Sequence, residues 1–224
     1  MIRMIVFDMA GTVINEDNVV YKTLQRAIND YGIAVDLNQV LAEGAGKEKS
    51  QAIRDIVNLH APGHSEDSIQ KIHSNFLTLL EAAYADLNVK PLDGALELFQ
   101  LLRAKGIRTV LNTGYNQHTA DQLLIKLGWT PGDTFDELVT ASAVAHTRPQ
   151  PDMILEGMRR CQLTNPAEVL KIGDSIIDIE EGKNAGCGIT VGITTGAHTA
   201  EQLWSAHPDF VIHQLTDLVP MLSL

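Results

Sequence analysis

A chain of 224 residues with 45% hydrophobic and 20% charged side chains lies outside the disordered range and is long enough for one large α/β domain, or for a core of about 150 residues with a smaller insert. Seventeen basic against 28 acidic side chains leave a formal charge of −11, which repels a nucleic-acid backbone or an anionic membrane surface. An anionic small substrate then requires a cation placed locally.

The first element is a strand, "MIRMIVF", closed by Asp8. It is too short for the apolar region of a leader, and no later run approaches the ~18 residues of a membrane span, so a cytoplasmic protein is expected. Residues 16–88 contain no comparable strand run. Val20, Leu24, Ala27, Ile28 and Tyr31 recur at helical spacing and stop at Gly32. A second helical pattern runs through Ile69, Ile72, Phe76, Leu79, Leu80 and Ala83, with Ser65, Glu66 and Asp67 in capping positions. This segment is expected to be a helical cap ending near "VKPLDG", where Pro91 and Gly94 flank the next core helix.

From about residue 90 onward, the apolar runs "IRTVLNTG", "DELVTAS", "VLKIGDS" and "GITVGIT" alternate with helical segments. Strands buried on both faces read as continuous apolar sequence, so these belong in a parallel sheet wrapped by helices. The expected fold is α/β: a Rossmann-like doubly wound parallel-sheet core of residues 1–15 and 89–224, interrupted by an inserted helical cap domain at 16–88. Cys161 and Cys187 lack metal-type spacing and are expected as small buried residues of a protein in a reducing compartment.

In such a sheet, sites form at the carboxyl ends of the strands near the switch in strand order. Four segments bring functional groups there: "VFDMAGT" with Asp8 and Thr12, "VLNTG" with Thr113, "HTRPQPD" with Arg148, and "KIGDSIID" with Asp174 and Asp178. Asp8 reads either as a nucleophilic carboxylate or as a turn Asp after a strand. Asp174 adds a second hard oxygen ligand, and a Mg²⁺ site commonly combines one or two carboxylates with substrate phosphate. Asp178 follows one helical turn later, placed to ligate directly or through water. Thr113 and Arg148 supply the hydroxyl and fixed cation that phosphoryl chemistry uses for electrostatic clamping.

Other signals carry less. "GAGK" at 44–47 is not a P-loop, since Leu41 stands where the first Gly belongs and Glu48 follows the lysine. His60 and His64 have helical metal spacing, but Pro62 and Gly63 between them predict a loop. His118 and His198 follow strand ends, a position from which a side chain can line the site, with the surface as the default expectation.

Taken together and in order, "DMAGT", "LNTG", the basic residue before Pro149 and "GDSIID" resemble the motifs of the haloacid dehalogenase (HAD) superfamily of hydrolases across essentially the whole chain. The resemblance implies an aspartyl-phosphate at Asp8, with Mg²⁺ held by Asp8, the carbonyl of Ala10 and Asp174, and Asp178 in or beside the metal shell. Phosphatases of the superfamily carry a general acid two residues after the nucleophile. Here that position is Ala10, so an oxygen leaving group departs without its proton, at a rate cost of about 10² to 10⁴.

The phosphonatase branch, phosphonoacetaldehyde hydrolase and its relatives, shares the "AGT" signature, an Arg matching Arg148 and a Tyr after "TG" matching Tyr115. Its cap lysine forms a Schiff base with the substrate aldehyde in a Gly-x-x-Lys-x-x-x-x-Arg context, matched here by Gly46, Lys49 and Arg54 in "GKEKSQAIR". Breaking a carbon–phosphorus bond by attack at phosphorus expels a carbanion unless an electron sink accepts the pair. A protonated imine at Lys49 is that sink, the leaving group is a neutral enamine, and an acid at position 10 becomes dispensable. Arg148 stays charged and does not compete for the aldehyde, whereas Lys49 requires a lowered pKa through burial or cationic neighbours such as Lys47, the fallback amine. This chain departs from the branch at Ala52, where phosphonatases carry His.

The resemblance therefore implies catalytic Asp8, Lys49, Arg148 and Thr113; Thr12, Gly114, Tyr115 and Arg54 around the substrate; and metal ligation by Asp8, Ala10, Asp174 and Asp178. The expected partner is a small phosphonate or phosphate, with no nucleic acid and no membrane, and with a homodimer through the cap. Two alternatives stay open: a phosphatase acting on a small phosphomonoester such as a sugar phosphate or phosphoglycolate, and a non-catalytic protein that binds phosphate and metal.

Overall fold

The computed structural model describes residues 1–222. Its centre is a six-stranded sheet in which β1 (Met4–Asp8), β4 (Arg108–Thr113), β5 (Glu137–Thr140), β6 (Val169–Gly173), β7 (Ile189–Ile193) and β8 (Phe210–Ile212) lie in the order β5-β4-β1-β6-β7-β8. Every neighbouring pair is parallel. The chain runs from β1 outward through β4 and β5, then returns to β6, β7 and β8 on the other side. The order therefore reverses beside β1, and the crevice at the carboxyl ends there is where a doubly wound fold binds ligands. All five residues of β1 and all five of β6 are buried, which accounts for their apolar sequence.

Two short strands, β2 (Ile14–Asn15) and β3 (Lys90–Pro91), pair antiparallel and bring together the two chain connections of the helical segment. That segment contains α1 (Val19–Asp30), α2 (Leu37–Gly44), α3 (Lys49–His60) and α4 (Glu66–Asp86). Val20, Leu24 and Ile28 of α1, Ile53 and Ile56 of α3, and Ile72 and Phe76 of α4 are buried among one another. Helix α1 stops before Gly32, as its periodicity predicts, and α4 starts at Ser65, whose hydroxyl accepts the Ser68 N–H. Helix α3 ends at His60, so His60 and His64 share no helix. The core helices are α5 (Ala95–Ala104), α6 (Gln117–Leu127), α7 (Asp152–Arg160), α8 (Ile176–Ala185), α9 (Ala200–Ser205) and α10 (Leu218–Met221).

Several elements escape the sequence pattern. Helix α2 is only 8 residues long, with two buried positions, and α3 carries its buried apolar positions as the pairs Ala52–Ile53 and Ile56–Val57 among polar residues. Strand β8 has three residues at a sheet edge, with Phe210 exposed. No helix among the described residues is long and apolar enough to cross a membrane. Cys161 and Cys187 are half-buried rather than buried, and burial pushes their thiols up to about 11 and about 12.

Candidate active site

Strand β1 delivers Asp8 to the switch crevice, where its carboxylate meets the guanidinium of Arg148 at 2.7 Å. Arg148 comes from the loop before α7 and is almost wholly enclosed. Its Nε donates to Glu181 at 3.0 Å, its Nη2 to the backbone and side-chain oxygens of Asn112 at 3.0 and 2.7 Å, and its Nη1 lies 3.1 Å from Asp178. Burying a guanidinium costs several kcal/mol unless its donors are satisfied, and here each is aimed at an oxygen. The surrounding carboxylates outweigh burial and raise the Arg148 pKa well above its ordinary value, so the cation is permanent. Burial raises the pKa of Asp8 against the opposing pull of Arg148.

Asp174 and Asp178 follow β6. With Asp8 they present three carboxylate oxygens within 4.8 Å of one another. Burial, then Asp8 and Asp178, push Asp174 well above the carboxylate range, whereas Arg148 and Lys171 overcome burial and lower Asp178. Four buried carboxylates, counting Glu181, face two buried cations, Arg148 and Lys171. Ionised together, these carboxyls exceed the cations by two negative charges, and with their hard oxygen donors they fit a divalent cation such as Mg²⁺, which would relieve the repulsion that raises Asp174. Gly11, at φ 83°, lets the loop after β1 pass close against Asp174, where a Cβ would collide with the carboxylate; that contact explains the glycine next to Ala10.

Asn112 and Lys171 lie inside "LNTG" and "KIGDSIID" without being singled out there, and Glu181 lies beyond the motifs. Lys171 lies inside β6 with its side chain fully buried, 2.9 Å from Asp178, 3.4 Å from Glu181 and 2.7 Å from the Asn112 side-chain oxygen. Glu181 sits on α8 one turn beyond Asp178 and also accepts both bonds of the Asn112 amide. A charged residue in the middle of a buried run was the available signal, since burying a lysine demands partners nearby.

The helical segment closes the opposite side. The loop before α3 enters the crevice with Gly46 at φ 74°, its carbonyl 3.4 Å from Arg148 and its N–H donating to the Tyr21 hydroxyl at 3.0 Å. A Cβ at Gly46 would strike Ser175 and Ile177. Lys49 opens α3 and is 6% exposed. Its Nζ donates to the Lys47 carbonyl at 2.7 Å and lies 5.1 and 5.4 Å from the ring centres of Tyr21 and Tyr115. Burial lowers its pKa to about 8, with Asp8 opposing and Arg148 assisting.

The remaining residues divide. The Thr113 hydroxyl accepts the Tyr115 N–H at 3.2 Å, and Gly114 lies against the backbone of Gly46 and Lys47 with no room for a Cβ. The hydroxyl of Thr12 is buried without a hydrogen-bond partner among the described residues, and that of Tyr115 is buried beside the Tyr84 hydroxyl. Ala10 is half-buried in the loop between Asp8 and Thr12. Arg54 is not brought to the site: five residues beyond Lys49, about 140° around the helix, it pairs with Glu66 at 2.5 Å. Lys47 pairs with Asp55, also at 2.5 Å. His118 is exposed as expected, but His198 is buried, accepting the Ile176 N–H and lying 3.3 Å from the carbonyl of Leu41 in α2. Ala52 is fully enclosed in the helical segment.

A family model described as haloacid dehalogenase-like hydrolase matches residues 2–186. Phosphonoacetaldehyde hydrolase of Latilactobacillus sakei is 27% identical over 260 residues, covering 99% of this chain and 95% of that protein. Pyrophosphatase PpaX of Anoxybacillus flavithermus is also 27% identical, over 224 residues, covering 100% and 98%. Among solved structures, a hydrolase from Pseudomonas syringae matches with a TM-score of 0.87 at 19% identity, over 99% of this chain and 98% of that one, a likeness of fold.

Proposed function

This chain belongs to the haloacid dehalogenase-like hydrolases, and on that premise we propose that it cleaves the carbon–phosphorus bond of phosphonoacetaldehyde or a related small carbonyl phosphonate. The observation that carries the reading is Lys49, a buried amine between two tyrosine rings, lowered to about 8. At pH 7 about a tenth of such an amine is neutral, against about 3 in 10,000 at the ordinary 10.5. A structural lysine gains nothing from that change, whereas a nucleophilic one needs it.

In this reading Lys49 condenses with the substrate carbonyl and Asp8 attacks phosphorus. The carbon–phosphorus electron pair moves into the carbon–nitrogen system, leaving an enamine on Lys49 and an acyl phosphate on Asp8. Water hydrolyses the acyl phosphate, and protonation of the enamine followed by imine hydrolysis releases the aldehyde. Arg148 holds the Asp8 carboxylate in register and keeps a permanent positive charge beside it. Asp8, Asp174, Asp178 and the Ala10 carbonyl would hold Mg²⁺, which when bound supplies positive charge against the phosphonyl oxygens. The helical segment acts as the cap, and its closure over Asp8 keeps water from the imine.

The equal likeness to a pyrophosphatase supports a second reading, hydrolysis of a phosphate ester or anhydride, in which Lys49 has no covalent role. Borohydride reduction with phosphonoacetaldehyde, followed by mass spectrometry of the wild type and Lys49→Ala, separates the two. Adduct and Mg²⁺-dependent phosphate release are both expected in the wild type and both lost in the variant. Absence of wild-type adduct, with phosphate release from monoesters that survives Lys49→Ala, would overturn the phosphonatase reading.

A further inference from the structure

Glu16 is a buried acid to which the imine reading gives no task. It follows β2 where the chain enters the helical segment and is 3% exposed. Its Oε2 accepts the Val20 N–H at 3.2 Å and the Tyr84 hydroxyl at 3.3 Å. The charged and titratable groups facing it are Asp17 on its own loop, Tyr21 from α1, Lys49 from α3, Tyr84 from α4 and Tyr115 from the loop after β4. Glu16 and Lys49 each feel the other's charge. The Tyr84 hydroxyl that Glu16 accepts adjoins the buried hydroxyl of Tyr115, whose ring faces the Lys49 amine at 5.4 Å, so the two tyrosines form a continuous path from Glu16 to Lys49.

We propose that Glu16, acting through Tyr84 and Tyr115, is the proton-transfer residue for imine formation and hydrolysis at Lys49. The inference rests on the imine reading above. The neutral Lys49 amine adds to the carbonyl carbon, and its surplus proton moves to the oxygen, giving a neutral carbinolamine. The protonated Glu16 carboxyl passes its proton to the Tyr84 hydroxyl, Tyr84 passes its own to Tyr115 and Tyr115 its own to the carbinolamine hydroxyl; the carbon–oxygen bond breaks, water leaves, and the nitrogen lone pair closes the carbon–nitrogen double bond. Glu16 is then a carboxylate across the two tyrosines from the iminium cation. In the reverse direction it takes a proton by the same path from the water that adds to the imine.

Burial raises Glu16 to about 8, the range to which Lys49 is lowered, so donor and acceptor are matched as proton-transfer partners should be. Helix capping alone does not account for the residue. A cap at the start of α1 needs an acceptor for the Val20 N–H but neither a buried acid nor a bond to Tyr84, whose partner helix α4 begins 50 residues further along the chain.

Glu16→Gln keeps an acceptor for Val20 and removes the proton, so thermal unfolding should show the fold retained. Trapping of phosphonoacetaldehyde on Lys49 by borohydride is expected to slow by about 10²-fold at pH 7. In the wild type the trapping rate should rise with pH as Lys49 loses its proton and fall as Glu16 loses its own, giving a bell near pH 8; in Glu16→Gln the descending limb should vanish. Tyr84→Phe, which leaves the carboxylate in place, is expected to slow trapping several-fold and serves if Glu16→Gln fails to fold. A variant rate within twofold of the wild type, with an unchanged profile, overturns this inference and leaves the imine reading intact. Absence of adduct in the wild type removes both.

Discussion

The crevice is bounded by two regions of opposite electrostatic design, each built around a buried lysine. On the sheet side, Lys171 sits among Asn112, Asp178 and Glu181, and Arg148 satisfies its donors on four residues. On the helical side, Lys49 has one backbone carbonyl and two aromatic rings, and Glu16 has one N–H and one hydroxyl. Dense pairing fixes charge states, whereas sparse pairing in a buried wall brings an acid and a base to the same range, about 8. In the proposed reading the Arg148 cation of the sheet side serves phosphorus, and the acid and amine of the helical side exchange protons at carbon.

Substitutions on either side sharpen that contrast. The largest expected effect is from Asp8→Asn, which should lower phosphate release from phosphonoacetaldehyde by at least about 10⁴-fold while leaving the borohydride adduct on Lys49 in place. Loss of both together, in a folded variant, would show that the two halves do not operate separately.

Lys171→Met strands Asp178 and Glu181 with fewer cations. Removing one partner of a buried pair costs about 3–5 kcal/mol, which urea unfolding should register as a lowered midpoint.

Lys49→Met is expected to do the opposite. Lowering the amine from 10.5 to about 8 corresponds to about 3 kcal/mol against the folded state; loss of the Lys47 and ring contacts reduces the net gain on substitution to about 1–2 kcal/mol. The sign with pH follows from the depressed folded value. The penalty is complete below pH 8, where both folded and unfolded chains carry the charge, and fades between 8 and 10.5 as the unfolded chain's lysine also becomes neutral. The variant's advantage in urea unfolding should therefore shrink across that window, and a constant or absent advantage would mean that the amine is not under strain.

The sheet side was largely legible in the amino-acid order. Asp8 and Asp174 each close an apolar run, and a parallel strand buried on both faces announces itself by such a run and places the next polar residue at the crevice; Thr113 follows Asn112, and Arg148, eight residues beyond β5, was legible only through the order of the motifs. Arg54 illustrates the limit of spacing on a helix: a motif position matched to a family does not turn the side chain inward, and Glu66 holds it outside. His198 shows the same limit for a loop residue, since its burial depends on α2 packing over it.

The sequence by itself determined the alternation of strands and helices, the early helical insertion and the residues at the strand ends, because all of these rest on local periodicity and on what a buried backbone permits. Only the tertiary structure decided that Lys171, Glu181 and Asn112 join Arg148 in one charge network, and that Glu16, Tyr84 and Tyr115 line the wall that holds Lys49. Those contacts join residues up to 69 positions apart, and the electrostatics of a buried group depend on which distant partners surround it. Chain order does not encode that dielectric.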